Sequence, residues 1–131
     1  TYDHLANLIL EIFFLLGPMK WFVKNRVTYE GYSHLQRAID KQKGVIFLAS
    51  HLGNWEIMAA KGGLTTGNIM MVTKKLKPAW FHRWIEWGRE RCGVRATYEP
   101  RTLKDILSQL KKGGVVGIVL DQYAGPPIGI R

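Results

Sequence analysis

Long uncharged apolar runs are missing from this chain of 131 residues. No segment reaches the roughly 18 residues that a membrane-spanning helix needs, so the sequence predicts no transmembrane helix. The first residues also lack the basic start, apolar middle and small-residue cleavage site of a signal peptide. The chain has no initiating methionine and stops in the loop sequence GPPIGIR. We therefore expect a fragment of a larger domain.

Cysteine is almost absent, since Cys92 is the only one in the sequence. A single thiol excludes a disulfide within the chain and is typical of a reducing compartment. His4, His34 and His82 show no metal-ligand spacing, and with one cysteine we expect no zinc or other metal site. The sequence also has no P-loop and no Gly-x-Gly-x-x-Gly motif, and we expect no cofactor.

Acidic residues are scarce, with 10 Asp and Glu against 19 Lys and Arg, which gives a formal net charge of +9. Residues 73–112 alone hold eleven Lys and Arg but four Asp and Glu. Charge of this kind bears on partners rather than on fold. The candidates are phosphate groups, nucleic acid, anionic lipid headgroups and acidic carrier proteins. The run Lys74–Lys77 is most simply a solvated face, or else a contact for such a partner.

Strand-like and helix-like segments alternate along the chain. Short apolar or β-branched runs predict strands over 26–31, 45–49, 69–73, 94–99 and 115–120. Helical spacing of apolar residues predicts helices over 2–16, 34–41, about 53–61, 78–91 and 102–112. Such alternation is typical of an α/β layered domain with a largely parallel central sheet flanked by helices. We expect one domain over residues 1–131.

Local signals refine three of these helices. Ser33 is the predicted N-cap of the helix over 34–41, and Gly62-Gly63 is the predicted end of the helix that begins near Asn54. In the helix over 78–91, Trp80, Trp84 and Trp87 share one face, which we expect to be core. Arg89 lies at the border of the neighbouring apolar strip, so we expect it to be less solvated than Arg91.

His51 and Glu56 are the residues that most suggest chemistry. His51 comes just after the apolar strand 45–49, and ligands of parallel sheets bind at the carboxyl ends of strands. An imidazole there can accept a proton near neutral pH. A tight turn at Gly53 would bring Glu56 back beside it, where a carboxylate would fix the orientation of the ring. The alternative is a polar strand end followed by an acid in the first turn of a helix.

Two neighbours of this pair complete the candidate site. Asn54 is expected to cap the helix or to donate to an oxyanion, and Trp55 to shield the pair from water. Asp121 ends the last predicted strand just as His51 ends the earlier one. Polar residues at two strand ends on the same edge of a sheet are a stronger site signal than one alone.

Four sequence blocks resemble the bacterial lipid A secondary acyltransferases, a branch of the glycerolipid-type acyltransferases with the motif His-x4-Asp/Glu. They are RVTYEG, GVIFLASHLGNWE, WIEWGRERCG and LKDILSQLKKGGVVGIVLDQYAGP, in the family's order and approximate spacing. The inserted Ala124 departs from the family's usual tyrosine-glycine pair. The blocks run through nearly all of the chain. The family's N-terminal membrane anchor and its C-terminal portion are expected to lie outside these residues.

The resemblance implies an acyltransferase that moves a fatty acyl chain from acyl carrier protein to a hydroxyl of a lipid A precursor. It makes His51 the general base and Glu56 the residue that orients it. Arg89, in Trp-Gly-Arg, and Asp121 match the family's functional arginine and aspartate, and we place them with Gly53 and Asn54 in substrate binding. It further implies a glycolipid acceptor and a location at the membrane surface, on the cytoplasmic face of the inner membrane.

Two other functions stay open at this point. The related phosphatidylinositol mannoside and phospholipid acyltransferases share the motif, although the glutamate and the context GNWE disfavour a lysophosphatidate-like acceptor. A basic nucleic-acid-binding module would agree with the charge, but no nucleic-acid-binding motif is present, and we expect no nucleic acid as partner.

Overall fold

The computed structural model describes residues 19–121, and this part of the chain forms a four-stranded parallel sheet with five helices. The strands are β1 (Val45–Ala49), β2 (Ile69–Val72), β3 (Val94–Thr97) and β4 (Val115–Val119). The helices are α1 (Met19–Arg26), α2 (Tyr32–Ile39), α3 (Trp55–Thr66), α4 (Ala79–Arg91) and α5 (Thr102–Lys111). The predicted α/β fold with a parallel sheet is thereby confirmed. The helix predicted over 2–16 lies outside the described residues. Within them, no helix has both the length and the apolar character to cross a bilayer.

The strand order across the sheet is β1-β4-β2-β3, so the last strand in sequence lies between the first two. Val115 of β4 is opposite Val45 of β1 on one side and Ile69 of β2 on the other. Because all four strands run the same way, their carboxyl ends meet along one side of the sheet. We call this side the carboxyl edge, and the opposite side the amino edge.

Helices cover both faces of the sheet. On one face, α3 packs on β2 and β3 with α1 outside it, and together they enclose an apolar cluster. Its buried members are Val23, Ala59, Ala60, Ile69, Met71, Cys92, Val94 and Val115. Side chains alternate along a strand, so Thr97 points to the opposite face. There its hydroxyl donates to Asp105 of α5, with an oxygen–oxygen distance of 2.8 Å.

The strand predicted over 26–31 is wrong. Residue 26 ends the helix α1, and residues 27–31 form an irregular connection to α2. In this segment only Val27 and Thr28 favour a strand by their β-branched side chains. Gly31, with a φ of 71°, takes the left-handed conformation and is the N-cap of α2 in place of Ser33. Ser33 instead lies in the first turn of the helix.

The helix α3 continues through Gly62-Gly63, which were predicted to end it. It stops at Gly67, whose φ of 75° is that of a left-handed C-cap. A Cβ atom at position 63 would lie 2.3 Å from the carbonyl oxygen of Cys92. Glycine is therefore needed there for close approach of the helix to the turn before β3, and not for a helix end. The same packing buries the Cys92 thiol, and that burial raises its pKa.

The tryptophan face of α4 was expected to be core, and this expectation is wrong for two of its three members. Trp80 and Trp87 are exposed, whereas Ile85, Gly88 and Arg89 are the buried residues of the helix. The neighbouring apolar strip therefore faces inward and carries the arginine with it. As predicted, Arg89 is buried and Arg91 is exposed.

The contact at Gly63 leads to a stability prediction. We expect Gly63→Ala to lower the free energy of unfolding by about 1–3 kcal/mol, because the added methyl group overpacks a rigid backbone contact. Gly62→Ala is the matched control, since its Cβ atom would meet side-chain atoms and no backbone, Ile69 Cδ1 at 3.3 Å and the Tyr29 hydroxyl at 3.9 Å. A helix gains from alanine in place of glycine. Urea unfolding of both variants measures the difference, and equal midpoints would contradict the prediction.

Candidate active site

His51 and Asp121 lie opposite each other at the carboxyl edge because β1 and β4 pair in register. Ala49 is opposite Val119, and the Leu120 amide donates to the Ala49 carbonyl over 3.2 Å. His51 follows Ala49 by two residues, and Asp121 follows Val119 by two residues. Groups that are 70 residues apart in sequence are thus brought together by backbone pairing alone.

The aspartate holds the histidine with both oxygens. Asp121 Oδ2 accepts from the backbone N–H of His51 over 2.6 Å, and Oδ1 lies 2.5 Å from the ring Nδ1. These hydrogen bonds hold the pKa of the Asp121 carboxyl below its ordinary value. An ionised carboxylate can only accept, so Nδ1 carries the hydrogen. The lone pair of the neutral ring is then on Nε2, the nitrogen that can take up a proton.

The His51 ring is half-buried, and Trp55 packs beside it. The indole ring of Trp55 meets the His51 ring edge-on, with 4.9 Å between ring centroids. The His51 side chain keeps 28% of its surface exposed. A ring in this position is oriented on one side and remains accessible to a substrate on the other.

Gly53 and Asn54 make the turn from β1 into α3. Gly53 has a φ of 76°, the left-handed conformation that glycine adopts without strain, as the sequence predicts. Asn54 is the N-cap, and its side-chain oxygen accepts from the backbone amides of Glu56 and Ile57 over 3.0 and 3.1 Å. The predicted capping role of Asn54 is therefore confirmed. A role for either residue in substrate binding stays a prediction.

Glu56 forms a two-pronged ion pair with Arg89, which joins the first turn of α3 to the last turn of α4. Arg89 Nε donates to Oε2 over 2.9 Å, and Nη2 donates to Oε1. Only 6% of the Arg89 side chain and 11% of the Glu56 side chain are exposed. Burial acts to lower the pKa of Arg89, but the hydrogen bonds and charge of Glu56 outweigh it and raise that pKa. The guanidinium therefore stays charged.

The carboxylate that contacts the His51 ring is thus not the one that the sequence predicts. Glu56 was expected to orient His51, but its two oxygens are bonded to Arg89, and Asp121 takes the place beside Nδ1. The physical reason is register, since adjacent parallel strands bring their ends together. The catalytic roles assigned to His51 and Glu56 stay predictions.

A further polar group at this edge was missed from the sequence. Tyr98 follows β3 directly, and its hydroxyl donates to Glu86 over 2.8 Å. Burial and this hydrogen bond raise the pKa of the Tyr98 phenol. Glu86 also lies 3.4 Å from Nε2 of His82, whose Nδ1 accepts from the Leu76 amide over 3.4 Å. The sequence held a signal for Tyr98, because a polar residue follows β3 as one follows β1 and β4. It was missed because the strand was predicted to continue to residue 99.

These groups surround a cleft of about 750 Å³ at the carboxyl edge. Its polar wall includes His51, Glu56, Arg89 and Tyr98, and its basic wall includes Lys74 and Lys75. Its apolar lining comes from Trp55, Met71, Val72, Leu76, Phe81, Ile85 and Val119. A volume of this size suits a substantial ligand with both polar and apolar parts.

A second cavity, of about 40 Å³, lies on the α3 face of the sheet. Its lining is almost wholly apolar, and it shares Met71 and Val119 with the cleft. A cavity of this volume is far smaller than the pockets that hold small-molecule ligands. As for metals, no three His, Cys, Asp or Glu side chains within residues 19–121 are grouped so that they could hold an ion.

The buried ion pair leads to a prediction about stability. We expect Glu56→Gln to destabilise the fold by about 3–5 kcal/mol, because it leaves the Arg89 guanidinium buried beside a neutral amide. Glu90→Gln, on the exposed side of α4, should change the free energy of unfolding by less than about 0.5 kcal/mol. Adding Arg89→Met to Glu56→Gln should cost less than the sum of the two single changes. Urea unfolding tests this, and additive effects would contradict the pairing.

Comparison with known proteins bears on what this site does. The family model described as bacterial lipid A biosynthesis acyltransferase matches residues 1–130. No curated protein matches the chain.

Proposed function

Since the chain belongs to the bacterial lipid A biosynthesis acyltransferase family, we propose that it transfers a fatty acyl chain from acyl carrier protein to a hydroxyl of a lipid A precursor, with His51 as general base. One observation carries this proposal. It is the imidazole at the carboxyl edge, held through Nδ1 by Asp121 on the wall of a 750 Å³ cleft. An oriented imidazole with its second nitrogen left as acceptor is the arrangement that removes a proton from a hydroxyl.

In the proposed reaction, Nε2 of His51 takes the proton of the acceptor hydroxyl as its oxygen attacks the thioester carbonyl of the donor. A carbon–oxygen bond forms, and the carbonyl oxygen becomes an oxyanion. Collapse of this intermediate breaks the carbon–sulfur bond. The imidazolium then gives its proton to the leaving thiolate, so that the products are an ester and a free thiol, and His51 returns to its neutral form.

Asp121 has the positioning role in this scheme. Its carboxylate keeps the hydrogen on Nδ1 and stabilises the imidazolium that forms during transfer. The resemblance assigns this role to Glu56. The hydrogen bonds favour Asp121, and we propose that Glu56 acts one step away, by holding Arg89 in the cleft wall.

Arg89 is proposed as a substrate-binding residue. Its guanidinium lines the cleft and is charged, and within residues 19–121 its buried Nη1 has no hydrogen-bond partner. A guanidinium holds phosphate or carboxylate oxygens through parallel hydrogen bonds. We propose that Arg89 binds those oxygens of the donor or acceptor that lie next to the reacting carbonyl. We also propose that the reaction takes place at the cytoplasmic face of the inner membrane.

The general-base role leads to the first kinetic prediction. His51→Gln should lower kcat by roughly 10²–10⁴-fold, because the proton acceptor is lost. His34→Gln is the control, since His34 is an exposed histidine on α2 that bonds to Arg37. Acyl transfer from acyl carrier protein to a lipid A precursor is measured with the full chain. Wild-type turnover by a folded His51→Gln protein would remove His51 from the mechanism.

The second kinetic prediction concerns Asp121→Asn. The new amide can accept from the His51 backbone and donate to Nδ1, which would force the ring hydrogen onto Nε2. We expect kcat to fall roughly 10²–10⁴-fold with KM little changed, because the wrong tautomer cannot act as base. Asp40→Asn, at the exposed end of α2, should leave both constants unchanged. A rise in KM with unchanged kcat would instead indicate a binding role for Asp121.

A further inference from the structure

We infer that Tyr98 is a positioning residue for Arg89, because it holds a competing carboxylate, that of Glu86, away from the guanidinium. His82 assists by holding the second oxygen of the same carboxylate. One nitrogen of Arg89 is thereby left free for an anionic group of a substrate. This role rests on the proposed function, since it explains how Arg89 is kept available to the donor or the acceptor.

Glu86 is well placed to compete for Arg89. It lies three residues before Arg89 on α4, and an acid and a base at this spacing are neighbours on a helix surface. Both side chains border a further cavity, of about 800 Å³, beside the start of β3, so the carboxylate has space to turn. Burial acts to lower the pKa of Arg89 and Glu56 raises it most, but the charge of Glu86 raises it too. Glu86 is therefore within electrostatic reach of the guanidinium.

The carboxylate of Glu86 nevertheless bonds elsewhere. In the described part of the chain, Arg89 pairs with Glu56 and with no other acid, and its buried Nη1 has no hydrogen-bond partner. Oε1 of Glu86 accepts from the Tyr98 hydroxyl over 2.8 Å, and Oε2 lies 3.4 Å from Nε2 of His82. Both oxygens are thus engaged away from Arg89.

The two groups that hold Glu86 are themselves fixed. Burial, above all, raises the pKa of the Tyr98 phenol, so the hydroxyl keeps the hydrogen that it donates. Nδ1 of His82 accepts from the Leu76 amide over 3.4 Å, which places the hydrogen of the neutral ring on Nε2, facing Glu86. The rings of His82 and Tyr98 meet edge-on, with 5.1 Å between centroids. Packing therefore keeps both donors beside the same carboxylate.

This arrangement decides what Arg89 offers to the cleft. Glu56 occupies Nε and Nη2, which leaves Nη1 for a phosphate or carboxylate oxygen. If Glu86 turned onto Nη1, two carboxylates would surround one guanidinium and outweigh its single positive charge. An anionic substrate group would then meet a net negative site. Keeping Glu86 on Tyr98 and His82 therefore preserves the positive charge of the cleft wall.

Kinetics of the full chain test the role of Tyr98, with acyl carrier protein as donor and a lipid A precursor as acceptor. Tyr98→Phe should raise the KM of one of the two substrates roughly 10-fold, the worth of one hydrogen bond to a charged group. The change in kcat should stay below about twofold, because binding and not proton transfer is affected. Tyr32→Phe is the matched control, since the Tyr32 hydroxyl donates to the neutral Gln36 side chain on α2. It should leave both constants unchanged, and an unchanged KM in Tyr98→Phe as well would overturn the inference.

Glu86→Gln separates competition from a merely structural role of Tyr98. The neutral amide does not compete for a guanidinium as a carboxylate does. Adding Tyr98→Phe to Glu86→Gln should therefore change KM by less than about twofold, against roughly 10-fold in the wild type. A hydrogen bond that only ties α4 to the end of β3 predicts no such rescue. The same rise in both backgrounds would overturn the inference.

A crystal structure of the Tyr98→Phe protein tests the contact without any substrate. We expect an oxygen of Glu86 to lie within hydrogen-bond distance of Nη1 of Arg89. A carboxylate that stays on His82, with Nη1 still unpartnered, would overturn the inference and leave the proposed function standing. Conversely, a wild-type protein that transfers no acyl chain would refute the proposed function, and the contact in the variant would then decide the inference by itself.

Discussion

The pairing of β1 with β4 is the contact on which the candidate site depends. It sets Ala49 opposite Val119, and the chain direction then sets His51 opposite Asp121. The two hydrogen bonds from the aspartate reach both the backbone and the ring of the histidine. A shift of one residue in this register would turn every side chain of β4 to the other face. The position of the His51 ring relative to Asp121 is therefore set by the register of the sheet.

A second layer of the site is built from one buried ion pair and one hydrogen bond between side chains. Glu56 and Arg89 connect α3 to α4 behind the histidine, and Tyr98 and Glu86 connect α4 to the end of β3. A buried ion pair adds little stability over apolar packing, but it is costly to break. Here the ion pair fixes the position of the Arg89 guanidinium in the wall of the cleft. The acid beside Arg89 is the same one that the family motif places after the histidine.

Much of the fold could be predicted from the sequence, because it depends on local patterns. The apolar runs that became β1 to β4 are short and bounded by glycine or polar residues, and the turn at Gly53 needed a left-handed residue. Arg89 was expected to be sheltered from its place on the helix, and it is buried. What could not be predicted depends on partners distant in sequence. The strand order decides that Asp121, and not Glu56, meets the ring. The contact of Gly63 with Cys92 explains why two glycines lie inside a helix.

The same topology has a consequence for how the protein acquires its structure during synthesis. Within residues 19–121, β1 and β2 do not pair with each other, since β4 lies between them and pairs with both. The centre of the sheet thus stays open until the ribosome has released the residues of its last strand. Until then two apolar strands expose unpaired edges, which are the surfaces through which nascent chains aggregate. Because Asp121 arrives with that strand, the imidazole acquires its partner only when the sheet closes.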